Sequence, residues 1–151
     1  MPSGRASLHR FTTRLDGPFD LGLTLMCGQA FRWSPWYGGP GEAYVGVVNG
    51  SLLRLETKGE GLSVTSTTAR VDRRFIRHYL GLDDDLGAIT RRLSRRDPVM
   101  REAIRTGRGM RLMRQPVWET LASFILSSAS NIPRIRKCVE SVARGYGRGL
   151  S

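Results

Sequence analysis

The spacing of hydrophobic positions changes near residue 70 and divides the chain into two parts. Phe19, Leu21, Leu23 and Leu25 occupy every second position, and a short run from Ala30 to Trp33 follows Gly28. Such alternation predicts half-buried strands. The runs Tyr44-Val45-Gly46-Val47-Val48 and Ser51-Leu52-Leu53-Arg54-Leu55 flank Asn49-Gly50. Asn-Gly between two β-prone runs predicts a type I′ hairpin, because both turn residues must accept positive φ. Gly59 and Gly61 then lead into a further strand, Leu62 to Ser66, while Trp36 to Glu42 reads as a loop. The first third is therefore expected to be an antiparallel sheet. Residues 1–15 carry no such pattern and are expected to be a flexible lead-in, closed by a turn at Asp16-Gly17-Pro18.

Beyond Val71 the period becomes helical. Val71, Phe75, Ile76 and Tyr79 share a stripe, with Gly81 placed as a C-cap. Asp83-Asp84-Asp85 supplies acidity at the start of a helix through Leu86, Ile89 and Leu93 that ends in arginines, which matches the helix dipole. Asp97-Pro98 restarts a helix to about Ile104, with Asp as N-cap and Pro in the first turn. Pro116 opens a helix with Val117, Leu121, Phe124 and Ile125 on one side, and Asn131 caps the next. There Ile132, Ile135, Val139, Val142 and Tyr146 form a stripe that leaves Arg134 and Lys137 outward.

Charge adds a direction to this division. The chain of 151 residues carries a formal charge of +11, and residues 1–69 hold six basic against five acidic side chains, so nearly all of the excess lies in the second half. Most of it is arginine, which pairs bidentately with phosphate, so a polyanionic partner is expected for that half. The two cysteines, Cys27 and Cys138, are far apart and have no ligand-type neighbours at metal spacing. Neither a disulfide framework nor a metal site is expected, nor any cofactor. The sequence shows no run long enough to span a membrane and no secretory leader. The expected location is cytoplasm or nucleoid, or the nucleus in a eukaryote.

Three stretches in order carry a family likeness. Gly28-Gln29-Ala30-Phe31-Arg32-Trp33, Gly109-Met110-Arg111-Leu112-Met113-Arg114-Gln115, and Glu119 followed by Leu121 to Ser128 and Asn131-Ile132-Pro133-Arg134-Ile135 together resemble 8-oxoguanine DNA glycosylases with AP-lyase activity, of the helix-hairpin-helix superfamily. The likeness spans roughly residues 15–148 and covers the N-terminal portion of that family. It implies an α+β fold: a TATA-binding-protein-like antiparallel sheet domain with helices over residues 16–108, followed over residues 109–151 by the first helices of an all-α glycosylase domain. The implied partner is double-stranded DNA containing oxidised guanine, met by a monomer without membrane attachment.

The resemblance also assigns roles. Guanine presents a lone pair at N7 and 8-oxoguanine presents an N–H there, so a backbone carbonyl against that edge attracts the lesion and repels the normal base. In the family the glycine of the first motif supplies it, which is Gly28 here. A glycosylase must also fill the space left by the extruded base and read the orphaned partner. The matching tip is Ser127-Ser128-Ala129-Ser130-Asn131, with Arg134 at the arginine position and Lys137 beside it. Ala129 and Ser130 replace the first two asparagines of the usual triplet, so the reading of cytosine opposite the lesion is in question. Phe31 and Trp33 are expected in the core.

Family members with lyase activity use a lysine nucleophile and an aspartate beyond a Gly-rich helical hairpin. Lys58 and Lys137, the only lysines, sit in no such motif, so no catalytic residue is expected in these residues and the chain alone is expected to be inactive. The competing readings are a non-catalytic damaged-DNA-binding module and an alkyl-purine DNA glycosylase of the same superfamily.

Overall fold

The computed structural model describes residues 8–39, 41–95 and 97–150. It is α+β, as expected. Strands β1 (His9–Arg14), β2 (Trp33–Trp36), β3 (Ala43–Val48), β4 (Ser51–Lys58) and β5 (Gly61–Ser66) form one sheet in the order β1-β5-β4-β3-β2, with every neighbouring pair antiparallel. The helices are α1 (Leu21–Met26), α2 (Arg73–Tyr79), α3 (Leu86–Ser94), α4 (Pro98–Thr106), α5 (Val117–Leu126) and α6 (Ile132–Tyr146). The Asn49-Gly50 hairpin forms with both turn residues at positive φ, 48° and 70°.

Three expectations are corrected. Residues 9–14 of the presumed flexible lead-in are edge strand β1, paired with β5 from His9 opposite Ser66 to Arg14 opposite Gly61. The remainder of that lead-in up to residue 7 lies outside the described residues. Only Phe11 marks β1 as apolar; backbone pairing holds it, helped by Arg73 Nε and Arg77 Nη1, which donate to the carbonyls of Thr12 and Arg14. The Phe19 to Leu25 run is helical, not a strand. Asp20 caps it by accepting from the Leu23 amide at 2.7 Å, and Leu21, Thr24 and Leu25 share the buried side while Leu23 stays half-buried. The apolar spacing was ambiguous over so few residues, and the cap decided it. The run from Ala30 becomes a strand only at Trp33, where β2 extends to Trp36 into the expected loop.

One face of the sheet builds the core. Opposed residues share a face, so Phe11, Val64, Leu55 and Tyr44 line one row and Ser66, Leu53, Gly46 and Trp33 the next. Leu53, Leu55, Leu62 and Val64 are fully buried against Leu21, Leu25, Ile76 and Leu80 of the helical layer. Gly46 makes room for an indole: an added Cβ would come 2.5 Å from Trp33 Cδ2. Trp33 Nε1 then donates to the Tyr79 hydroxyl at 2.9 Å, tying β2 to α2 and satisfying two buried polar groups at once. Tyr79 lies parallel to Phe75 with ring centroids 5.9 Å apart.

Past α4 the chain returns to the sheet as an extended strap, residues 109–115. Asp20 donates its amide to the Gly109 carbonyl at 2.9 Å, and Arg114 donates its amide to the Tyr79 carbonyl at 2.8 Å. The helices after the strap are packed differently. On α5 only Ser123 is buried, and on α6 only Ile135 and Val139, while Trp118, Phe124 and Ile125 are largely exposed. The stripe expected over Ile132 to Tyr146 is therefore half realised: Ile132, Val142 and Tyr146 remain open.

This unequal packing sets an expected contrast in urea denaturation. Leu55→Ala should lower stability by about 2–5 kcal/mol through the cavity it leaves. Val142→Ala should change it by less than about 0.5 kcal/mol. Equal losses would show that α6 belongs to the same cooperative core as the sheet.

Candidate nucleic-acid interface

The site is assembled around the strap. Gln29, beside Gly28, donates through Nε2 to the carbonyls of Thr24 at 2.9 Å and Arg111 at 2.7 Å, and its Oε1 accepts from the Met113 amide at 3.0 Å. Gln115 Nε2 returns a bond to the Gln29 carbonyl. One side chain thus mimics a strand partner and fixes the Gly28 loop. Arg111 anchors the other side of the strap. Its Nη1 donates to the carbonyls of Gly81 (3.0 Å) and Asp84 (2.7 Å), and its Nη2 to that of Pro18 (3.3 Å). Burial lowers its pKa from the ordinary arginine value, and the charge of Asp84 opposes that shift. Arg114 Nη2 donates to both carboxylate oxygens of Asp84, at 2.7 and 2.9 Å.

Gly28 lies directly beneath the start of α6. It has φ of 99°, a region L side chains rarely adopt, and a Cβ there would stand 2.8 Å from Ile132 Cδ1. The loop expected to read a lesion and the helix that follows the tip are therefore in contact. Arg136 adds a second tie, its Nη2 lying 3.1 Å from Met26 Sδ at the end of α1.

The tip runs from Ser127 to Asn131. Asn131 caps α6, its Oδ1 accepting from the Arg134 amide at 3.1 Å, as expected. Ser130 closes the turn by donating its amide to the Ser127 carbonyl at 3.2 Å. Ala129 has φ of 51° and is exposed, as is Ser128. Asparagine and glycine occupy this left-handed region more readily than alanine. The backbone here is thus one that suits the residue the resemblance expects, with a different side chain on it. Arg134 and Lys137 are exposed one turn apart on α6 and share its outward side.

Between β2 and α6 lies an open cleft of about 350 Å³ lined by Phe31, Arg32, Trp33, Arg136, Glu140 and Arg144, among others. Trp33 is core, as expected, but Phe31 is half-buried at this cleft. Beside it, burial raises the carboxyl pKa of Glu119 on α5, while the positive charge of Arg32 pulls the other way.

Comparison with known proteins now adds the family. The family model for the N-terminal domain of 8-oxoguanine DNA glycosylase matches residues 13–121. The chain belongs to that family. The N-glycosylase/DNA lyase OGG1 of Arabidopsis thaliana is 30% identical over 128 residues, which are 82% of this chain and 34% of the plant protein. MBOgg1, solved in complex with a low-affinity DNA ligand, superposes with a TM-score of 0.84 at 34% identity. The 8-oxoguanine glycosylase/lyase of Clostridium acetobutylicum in its apo form superposes at 0.82 and 30%. Each of these two matches covers 94% of this chain and 48% of the solved chain. The chain therefore spans about a third of the curated relative and about half of the solved ones.

Within this family portion the hydropathy pattern missed the residues that hold the site together. Gln29, Arg111 and Gln115 lie inside the quoted motifs, yet Arg111 is 4% exposed while its neighbour Leu112 is 75% exposed. The usable signal was the alternation of Arg111, Met113 and Gln115 along one side of an extended segment.

Two outcomes follow for the site. Ala129→Gly should raise stability by about 1 kcal/mol in urea denaturation by relieving the left-handed strain; a loss would show that the turn does not hold this conformation. Glu119 titrates higher in the fold than unfolded, so its protonated form stabilises the fold. That contribution is complete below the unfolded carboxylate pKa and is lost as pH rises through the folded one. Glu119→Gln should accordingly raise the urea midpoint at neutral pH and leave it unchanged near about pH 4. A shift of equal size at both pH values would mean the effect is not ionisation.

Proposed function

We propose that this chain is the lesion-reading N-terminal portion of an 8-oxoguanine DNA glycosylase of base excision repair. In it, the Gly28 loop contacts the oxidised base and the tip enters the duplex. The observation that carries the reading is the contact between Gly28 and Ile132, which brings the glycine loop and the helix after the tip together and so supports a shared site. Recognition of the lesion by a carbonyl next to N7 needs a backbone approach free of a Cβ, and the positive φ of Gly28 is consistent with that need. Ser128, Ala129, Ser130 and Asn131 occupy the space of the extruded base, and Arg134 and Lys137 hold the flanking phosphates. Residues 16–108 form the reading domain, and residues 109–151 begin the helical part, joined to it by the strap.

Excision and β-elimination belong to the complete family architecture. A Schiff-base lysine is activated by desolvation or by a neighbouring cation. Lys137 is exposed on α6, and Lys58 is exposed on the sheet, 3.5 Å from Glu56. Neither has the surroundings of a nucleophile. The reading places the protein wherever the DNA is, nucleoid or nucleus.

Duplex carrying 8-oxoguanine opposite cytosine, incubated with this chain and borohydride, should yield no trapped covalent adduct and no released base. Efficient trapping would overturn the assignment and point to Lys137 or the terminal amine. Binding that favours the lesion duplex over undamaged duplex, and that weakens on Arg134→Gln with Lys137→Gln, is the expected positive result. Equal binding of both duplexes, unaffected by Gly28→Ala, would favour a general DNA-binding module instead.

A further inference from the structure

The helices α3 and α4 bury none of their side chains, so the pair stands away from the sheet and packs mainly on itself. Its surface is strongly basic. Arg91, Arg92, Arg95, Arg101, Arg105 and Arg108 are all exposed, and among the described residues only Arg105 pairs with a carboxylate, that of Glu102. The other acid of the pair, Asp97, is occupied as the cap of α4, accepting from the Val99 amide at 2.6 Å. Six guanidinium groups on two short helices repel one another in the free protein, and burial offers them nothing in return.

The base of this pair is nevertheless anchored. Asp85 caps α3, Arg114 Nη2 donates to both oxygens of Asp84, and the carbonyls of Gly81 and Asp84 accept from Arg111. Arg77 joins Asp83 to Asp16 beside the end of β1. The pair is thus held at the β1 edge of the sheet, whereas α6 lies beside β2 at the opposite edge. It is a separate surface from the proposed reading site.

We propose that the α3–α4 pair is a second contact for duplex DNA, gripping the phosphate backbone without regard to sequence or lesion. Charge complementarity decides the occupant: guanidinium forks pair with phosphate oxygens, and duplex DNA carries one negative charge per about 1.7 Å of axis. Arg101, Arg105 and Arg108 recur along α4 and its end at intervals that extend over about 10 Å, enough to meet several phosphates. Ile89, Leu93, Val99 and Met100 are exposed between the arginines, which makes an anionic membrane surface the competing occupant. The inference rests on the DNA-binding reading above, and it extends that reading by a surface independent of Gly28 and the tip.

The test measures the anisotropy of an undamaged labelled duplex with the whole chain between about 50 and about 200 mM salt. The variant Arg101→Gln, Arg105→Gln, Arg108→Gln should lower the slope of log affinity against log salt by about 2–3 and weaken binding at least about tenfold at the low-salt end. Glu102→Lys, which adds a cation and frees Arg105 from its carboxylate, should steepen the slope by about one. The variant Arg134→Gln, Lys137→Gln should lower the slope independently. Unchanged slopes in both α3–α4 variants, with a reduced slope in the tip variant, would overturn this inference and leave the proposed function standing. No binding of any duplex by the parent chain would overturn both. Loss of binding to phosphatidylserine vesicles in the triple variant, with DNA slopes unchanged, would assign the surface to lipid and overturn it as well.

Discussion

The guanidinium of Arg111, buried among three backbone carbonyls, is the interaction on which the arrangement of the molecule depends. A cation taken out of water needs partners for its donors, and here the carbonyls of Gly81, Asp84 and Pro18 take Nη1 and Nη2 from two separate stretches of chain, while Nε is buried without a partner. Hydrogen bonds to charged groups are worth about 1.5–3 kcal/mol each, roughly twice those between neutral groups. Arg111 therefore does what a leucine could not: it gathers the turn after α2, the turn before α1 and the strap into one body. Gln29 completes the join from the other side, and the chain leaves the strap at residue 115 from a point these two side chains hold.

Once the strap is fixed, the placement of Gly28 against Ile132 follows. The strap delivers the chain to Pro116, α5 carries it out to the tip, and α6 returns over the glycine loop. The proposed reading site is thus built by a local loop and a distant helix, held in register by polar contacts more than by a shared apolar core. The open apolar side of α5 and α6 is consistent with a chain that spans about half the length of its solved relatives.

Much of the fold was legible because the signals were local. The Asn49-Gly50 turn and the caps at Asp97 and Asn131 each declare themselves within four residues, and the structure has all of them. The errors fell where a signal was short or the determinant was tertiary. Phe19 to Leu25 fits a strand and a helix about equally over so few residues, and β1 has one convincing apolar position. Arg111 reads as surface to any hydropathy rule, since its burial depends on carbonyls from elsewhere in the chain. For the candidate site, motif spacing singled out Gly28, the tip and Arg134 as candidates, and it could not show that Gly28 and Ile132 touch.

The left-handed alanine at position 129 shows that the shape of the tip and its chemistry are set by different residues. Asn131 and Ser130 close the turn with their own bonds, so the backbone keeps its course whatever side chain position 129 presents. A binding loop built this way is modular: its contact residue can be exchanged without redesigning the scaffold around it. A single substitution at position 129 can accordingly change the group the tip presents while staying within a kilocalorie or so of neutral for the fold.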